Sequence, residues 1–378
     1  MTEEIGVGMV GHAFMGAVHS HAWRSVHRFF DVPLTPRLAA LGGRDAARTK
    51  EASAKYGWAA TETDWRALVA RDDVHVVDIC TPGDTHAEIA LAALAAGKHV
   101  LCEKPLANSV AEAEAMAAAA EDAARRGVRS MVAFNYRRVP AIALARAIVA
   151  EGRIGDVRHV RAVYLQDWLS DPEAPMTWRL RRELAGSGAL GDLGAHIVDA
   201  AQYVTGDLIT GVSATTETFV TSRPDGDGRG EVTVDDAAVF LARFSSGALA
   251  TFEATRYASG RKNAMRLEVN GSRGSLAFDF ESMNELSVFE ADGREAGFRR
   301  ILVTEPDHPY LAAWWPPGHL LGYEHTFTHE IADFLTAIGD GADPSPGFAE
   351  GLRVQRVLAA VEESAARQST WTTIGDAR

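Results

Sequence analysis

The first 134 residues alternate strand and helix, and this alternation limits the fold more than any other feature of the chain. Ile5 to Val10 is a short apolar run that breaks at Gly11, and a helical pattern follows through Arg24. His27 to Pro36 is aromatic and proline-bearing and reads as a loop. Leu38 to Leu41 is a second strand, and Asp45 to Tyr56 a helix closed by Gly57. Val74 to Cys80 is a third strand. Thr85 with Glu88 forms a capping-box pattern that opens a helix ending at Gly97. His99 to Cys102 is a strand, Ser109 with Glu112 opens a helix to about Arg126, and Ser130 to Phe134 is a further strand. Such spacing predicts βαβ units, and hence an α/β domain with a doubly wound parallel sheet.

After about Asn135 the texture changes. A helix is predicted from Ala141 to Glu151. Alternating or β-branched runs follow at Val157–Gln166, Val212–Val220, Ala237–Phe244, Ala248–Ala254, Met265–Asn270, Ser275–Phe278 and Leu286–Phe289. Polar turns such as Ser245-Ser246-Gly247 join several of them as hairpins. The expectation is an α+β domain with a large, mostly antiparallel sheet. A chain of 378 residues exceeds one ordinary core, so two domains are expected, 1–135 and 136–378.

The phosphate turn has two literal registers. Gly6-Val7-Gly8-Met9-Val10-Gly11 matches G-x-G-x-x-G but puts the turn inside the strand. Gly11-His12-Ala13-Phe14-Met15-Gly16 follows the strand directly, and this register fits. Gly11 makes the tight turn, Ala13 lets backbone approach a pyrophosphate, and Gly16 packs helix on strand. Phe14 and Met15 complete the segment. At the end of the second strand an acidic residue would bind the ribose of NAD, and an arginine the 2′-phosphate of NADP. The run here is Leu41-Gly42-Gly43-Arg44-Asp45. Gly43 at the acidic position, followed by Arg44, favours NADP. Asp45 serves NAD if the strand runs one or two residues further.

A formal net charge of −13 argues against nucleic acid or an anionic membrane as partner. Cys80 and Cys102 each follow an apolar run and read as small core residues, so no disulfide framework is expected. The acidic start Met1-Thr2-Glu3-Glu4 does not resemble a secretory leader, and no apolar stretch approaches a membrane span. A cytoplasmic protein acting on a small molecule is expected.

Three segments carry chemistry. Thr81-Pro82-Gly83-Asp84-Thr85-His86 stands at a strand's C-terminal end, where open α/β sheets bind ligands; Thr81, Pro82 and His86 are candidates for the cofactor. Glu103-Lys104-Pro105 ends the next strand. In the second half, Gly188-Ala189-Leu190-Gly191-Asp192-Leu193-Gly194-Ala195-His196 places Asp192 and His196 four apart, on one face of a helix. Each glycine there costs about 1 kcal/mol against alanine, which implies close approach by another backbone or a flat ligand.

With these segments the chain resembles the glucose–fructose oxidoreductase / inositol dehydrogenase (Gfo/Idh/MocA) family over nearly its whole length. The marks are the Gly11–Gly16 turn, Glu103-Lys104-Pro105, and Asp192 with His196. The stretches Val132-Ala133-Phe134-Asn135-Tyr136-Arg137-Arg138, Tyr164-Leu165-Gln166-Asp167-Trp168 and Gly186-Ser187-Gly188-Ala189-Leu190-Gly191-Asp192 place it nearest the branch that oxidises the anhydrosugar levoglucosan. The resemblance implies hydride transfer between a levoglucosan-, glucose- or inositol-like CH–OH group and NAD or NADP, in a homodimer or homotetramer.

Alcohol oxidation needs a base as the hydride leaves, and a histidine, with an ordinary pKa of about 6.5, suits neutral pH. The assignment is therefore His196 as general base and Lys104 as stabiliser of developing alkoxide charge. Asp192 pairs with Lys104 and grips a neighbouring hydroxyl. Glu103 and Lys104 also count toward the cofactor. Asp199 either orients His196 or lies at the surface. Asn135, Tyr136, Arg137, Gln166, Trp168, Trp178 and Arg179 are candidate sugar contacts. The aromatic segment His308–His319 forms a lid, a subunit contact or core packing.

No bound metal is expected. Asp225 to Asp236 brushes against a calcium loop, but Arg229 stands where an oxygen ligand belongs, so a hairpin loop is expected. His325, His329 and Asp333 lack further ligands, and His19 and His21 read as packing or as neighbours of the cofactor. The rival activities on this fold are an NAD-using glycosidase, a nucleotide-sensing regulator, and a dihydrodiol or imine reductase.

Overall fold

A computed structural model of the chain describes residues 3–291 and 296–375. Its contacts divide it into two compact units, Met1–Arg138 with Leu321–Leu352, and Val139–Leu320 with Arg353–Arg378.

The first unit holds β1 (Glu3–Val10), α1 (Phe14–Phe29), β2 (Leu34–Gly42), α2 (Ala46–Tyr56), β3 (Ala60–Glu62), α3 (Trp65–Val69), β4 (Val76–Ile79), α4 (His86–Ala95), β5 (His99–Glu103), α5 (Val110–Ala124) and β6 (Ser130–Ala133). The strands form one sheet in the order β3-β2-β1-β4-β5-β6, every pair parallel. This is the order of a dinucleotide-binding sheet, with the chain reversing beside β1 and β4.

The expected loop at 27–36 is smaller than the composition suggested. α1 runs on to Phe29 because Trp23 and Val26 continue its buried face, and β2 starts at Leu34. Pro36 is tolerated because β2 pairs there with β1 alone; β3 joins only at Ala40–Gly42. The short β3 and α3 were not evident in the sequence.

A further helix of this unit comes from far along the chain. The helix at Tyr323–Asp340 packs Phe327, Ile331, Phe334 and Leu335 into one core with Ile5, Val7, Met9, Trp23 and Val26. A division after residue 135 alone would leave that helix with the other unit.

The second unit contains α6 (Pro140–Ala150), β7 (Val157–Leu165), α7 (Arg182–Ala185), α8 (Ala195–Thr205), β8 (Ile209–Glu217), β9 (Ser222–Asp225), β10 (Gly228–Glu231), β11 (Ala237–Phe244), β12 (Leu249–Thr255), β13 (Ala264–Gly271), β14 (Gly274–Asp279), β15 (Glu285–Glu290), β16 (Arg299–Leu302) and β17 (Thr372–Thr373). The Tyr323–Asp340 helix is α9. α10 (Phe348–Ala366) begins in the first unit and continues in the second.

Nine strands form one sheet in the order β16-β15-β14-β13-β7-β12-β11-β8-β17. All its pairs are antiparallel except β7 with β12. Along β11, buried Ala238, Phe240, Ala242 and Phe244 alternate with outward Val239, Leu241 and Arg243. Phe240 stacks on Phe252 at 4.6 Å between ring centres, within the inner face that α8 covers beside β7 and β13. β9 and β10 make the expected hairpin at 225–228.

Candidate active site

The candidate residues fall into two groups, one in each unit. In the first, β1 ends at Val10 and Gly11 turns with φ +102°, where a side chain would be strained. A Cβ on Gly11 would lie 2.5 Å from the Cys80 carbonyl oxygen, and one on Gly16 would lie 2.3 Å from that of Gly11. Gly6 and Gly8 lie within β1, so the chosen register is the one that forms the turn. α1 then starts at Phe14, and Ala13 at its N-cap offers no side chain to the first N–H groups. A cradle that any Cβ would fill, backed by an uncapped helix N-terminus, fits a dinucleotide pyrophosphate. Phe14 is exposed and stacks on Tyr323 at 6.1 Å, while Met15 packs against the core.

At the end of β2 no side chain fits at position 43. A Cβ on Gly43 would meet Thr49 Oγ1 at 2.5 Å and the His12 ring at 2.6 Å. Asp45 caps α2, its carboxylate accepting from Ala47 and Arg48 N–H, and Arg44 is exposed.

The expected box at Thr85 and Glu88 does not form. Pro82 leads into a tight 3₁₀ turn over Gly83–Thr85, Thr85 Oγ1 donates to the Pro82 carbonyl and lies 2.7 Å from Thr81 Oγ1, and Glu88 pairs with Arg66. His86 is a brace. Its Nδ1 lies 3.0 Å from the Pro105 carbonyl and its Nε2 2.9 Å from that of Thr81, tying together the turns that follow β4 and β5. The box at Ser109 forms as expected, with Ser109 Oγ accepting from Glu112 N–H.

Lys104 is set by a buried chain of polar groups. Trp23 Nε1 donates to Asp78 (2.7 Å), His19 Nδ1 meets Asp78 (2.9 Å) and Nε2 meets Glu103 (3.1 Å), and Glu103 accepts the Lys104 backbone N–H (3.1 Å). Burial alone would lower the pKa of His19, but the Asp78 carboxylate outweighs it and holds the imidazole well above its ordinary range. His19, Asp78 and Cys80 bring ligand atoms within 4.8 Å of one another, but both imidazole nitrogens are already spent on carboxylates. Burial pushes the Cys80 and Cys102 thiols up, in keeping with core residues, and both are free cysteines.

Asn135, Tyr136, Arg137 and Arg138 form one buried turn. Asn135 donates to Thr326 Oγ1, Tyr136 meets the Tyr323 ring edge-on at 6.5 Å, and Arg137 is committed to Glu350 (2.9 Å) and Ser345. His329 meets the Arg138 carbonyl, Asp333 pairs with Arg138, and His325 accepts from Gly322 N–H.

In the second unit the glycine-rich segment departs from a plain α-helix. Leu190–Gly194 is a π-helical turn, and α8 follows from Ala195. π turns are frequent at functional sites. Asp235 builds this one: its carboxylate accepts from the Gly188 N–H (2.7 Å) and the Leu190 N–H (2.8 Å), and its carbonyl from Ala189 N–H (3.0 Å). Gly188 answers to backbone, since its Cβ would lie 1.8 Å from the Asp235 carbonyl oxygen. Asp192 projects half-exposed. His196 is buried, with the Tyr164 ring edge-on at 5.9 Å. Asp199 is also buried, which removes its surface reading.

Gln166 and Tyr164 OH both donate to Asn263 Oδ1 (2.7 and 2.6 Å). Trp168 is exposed and has the Arg256 guanidinium 5.5 Å from its ring; Arg179 stacks on Trp178 at 4.5 Å. The sequence reading missed Asp235, Arg256 and Asn263. The available signal was polar residues crowded against the ends of β-branched strands. In 308–319, Leu311 is buried and Trp315 exposed in a loop, so core packing accounts for part of the segment.

The parallel sheet and its glycine turn form a dinucleotide-binding Rossmann domain, and the profile for an oxidoreductase family with an NAD-binding Rossmann fold matches residues 5–134. The profile for the GFO/IDH/MocA C-terminal domain matches residues 142–277. The chain belongs to the GFO/IDH/MocA oxidoreductase family.

The levoglucosan dehydrogenase of Pseudarthrobacter phenanthrenivorans is 40% identical over 98% of each chain. A levoglucosan dehydrogenase solved with NADH and levoglucosan has a TM-score of 0.95 at 41% identity, over 99% of this chain and 100% of that one. An oxidoreductase domain protein from Kribbella flavida reaches 0.97 at 67% identity over all of both chains. Among the described residues, no helix is long and apolar enough to cross a membrane.

Proposed function

We propose that the chain oxidises a ring or chain carbinol of a sugar or polyol, of levoglucosan, glucose or inositol type, with a nicotinamide dinucleotide. The observation that carries this reading is the Asp192–His196 segment: a half-exposed carboxylate and a buried imidazole set on one Asp235-capped turn, in a family whose members include proteins solved with NADH and sugar.

The first unit, Met1–Arg138 with Leu321–Leu352, serves the cofactor, and the second the substrate. The Gly11–Gly16 turn and the N-terminus of α1 receive the pyrophosphate, beside Thr81, Pro82 and the Glu103-Lys104 turn. The bound nicotinamide ring supplies the hydride acceptor. His196 takes the hydroxyl proton as the carbinol C–H bond breaks, and Tyr164 restrains the imidazole from the side. The Lys104 ammonium hydrogen-bonds the reacting oxygen and stabilises its developing negative charge. Asp192 accepts from a neighbouring hydroxyl, and Trp168 and Trp178 offer aromatic faces to the ring. Gln166 and Arg179 shape the surroundings.

NADP is favoured over NAD by the strand end. The acidic position is Gly43, hemmed in by His12 and Thr49, while Asp45 gives Oδ1 to the cap of α2 and Arg44 is exposed. The protein acts in the cytoplasm as a homodimer or homotetramer. Outward Val239, Leu241 and Leu249 on the large sheet support assembly.

Reduced-nicotinamide absorbance, with NAD+ and NADP+ run separately against levoglucosan, glucose and myo-inositol, tests the reading. Turnover of at least one sugar is expected, faster with NADP+. No turnover with any pair contradicts the reaction, and preference for NAD+ contradicts the cofactor assignment alone.

A further inference from the structure

Arg256 follows directly on β12, and its side chain is fully buried. Removing a guanidinium from water is costly unless carboxylates and acceptors surround it. The charged groups that face it are Asp192, Asp235, Asp236 and Arg179.

Asp235 spends both carboxylate oxygens on the Gly188 and Leu190 N–H groups, while Asp236 gives Oδ2 to Phe219 and Val220 N–H and has no hydrogen-bond partner for Oδ1 among the described residues. Asp192 is partly exposed, and its Oδ2 lies 3.9 Å from Arg256 Nη1. Nη2 donates to the Asp235 carbonyl at 3.1 Å. The guanidinium carbon sits 5.5 Å from the centre of the exposed Trp168 ring, within cation–π range. A Cβ on Gly188 would come within 2.6 Å of Nη2, so the π turn is moulded around the cation. Nε has no hydrogen-bond partner among the described residues.

We infer that Arg256 is a positioning residue for the sugar site, anchoring the Asp192 carboxylate from beneath and backing the Trp168 ring with the same guanidinium. One buried cation thus fixes two groups, one polar and one aromatic, that the proposed function assigns to substrate. The inference rests on that assignment of Asp192. It also explains why position 188 is glycine and why Asp235 serves the turn through both its carboxylate and its carbonyl. A lysine would keep the charge but lose the planar fork that reaches two partners at once.

The test uses the full-length protein with R256K, R256M, D192N and the R256K/D192N pair, read by steady-state kinetics across pH and by titration of the dinucleotide alone. R256K is expected to raise the sugar KM by about tenfold and to leave dinucleotide affinity within about twofold. The kcat/KM profile of R256M, which removes the charge, should lose its acid limb at higher pH than wild type, whereas R256K, which keeps it, should not. D192N should abolish turnover. Any residual rate should be the same in the double variant, as for two members of one unit.

An R256K enzyme with wild-type sugar KM overturns the inference while leaving the proposed function intact. D192N with normal turnover overturns the assignment of Asp192, and the inference with it. A general loss of fold would instead lower dinucleotide affinity together with activity. Should R256M not fold, R256K, which keeps the charge and most of the volume, decides.

Discussion

Glu330 lies on α9 inside the first unit, fully buried, and neither carboxylate oxygen has a hydrogen-bond partner among the described residues. Burial pushes its pKa from 4.5 to about 8, against the pull of Arg138 and His19 and with the push of Glu103 and Asp78. It therefore enters the folded state as a neutral acid near neutral pH. A carboxyl group whose folded pKa is raised holds its proton in the folded state while the unfolded chain has released it. Stability falls as pH rises between the two values, by about 1.4 kcal/mol per unit. From pH 5.5 to pH 7 this group should cost roughly 2 kcal/mol.

Glu330→Gln keeps the volume and removes the proton. Urea unfolding of both proteins, followed by tryptophan fluorescence at several pH values, isolates the effect as the difference between them. That difference should favour the variant increasingly, by roughly 2 kcal/mol over the interval. His19 carries a linkage of the same sign, but it is present in both proteins and cancels. A difference that stays flat from pH 5.5 to 7 would refute the burial argument.

Other expectations follow from single contacts. Gly188→Ala puts a methyl 1.8 Å from the Asp235 carbonyl oxygen; it should cost about 1–3 kcal/mol in chemical unfolding and depress turnover by shifting the π turn. Asp235→Ala strands the buried Gly188 and Leu190 N–H groups, and about 1–3 kcal/mol for each should appear as a lower urea midpoint. His19→Leu leaves Asp78 and Glu103 as buried carboxylates without their shared partner. A loss of about 3–5 kcal/mol is expected by the same assay, with Asp78→Asn/His19→Leu recovering part of it.

The parts of the fold legible in the sequence were those where period and punctuation agree. β1, the glycine turn and α1 were readable because a six-residue apolar run stops at a glycine and a 3.6-residue period begins. The boxed start at Ser109 was readable for the same reason. Thr85 carried an identical signature and misled, because Pro82 imposes a tighter turn that consumes its hydroxyl first. The helix at Tyr323–Asp340 was invisible as part of the first unit, since nothing local in Phe327 or Phe334 says which core they fill.

At the site, Asp192 and His196 were legible as a pair but not as a π turn. That shape comes from Asp235, more than forty residues away in sequence, whose carboxylate claims two of the N–H groups at its start. Arg256 was illegible for a related reason. An arginine after a strand reads as solvated, and only the tertiary placement of three carboxylates around it makes burial tolerable. Arg137 shows the converse: it sits in a family-like stretch but is committed to Glu350.

The central claim is that Lys104 and His196 support direct hydride transfer from a sugar carbinol to the nicotinamide ring. The most direct measurement supplies the turned-over sugar with deuterium on the reacting carbon and follows the label by mass spectrometry. The wild-type protein should place it on the reduced dinucleotide. His196→Ala should bind the dinucleotide as before, and both it and Lys104→Ala should transfer almost none. Label washed into water with no reduced dinucleotide accumulating, or transferred undiminished by both variants, would contradict the account.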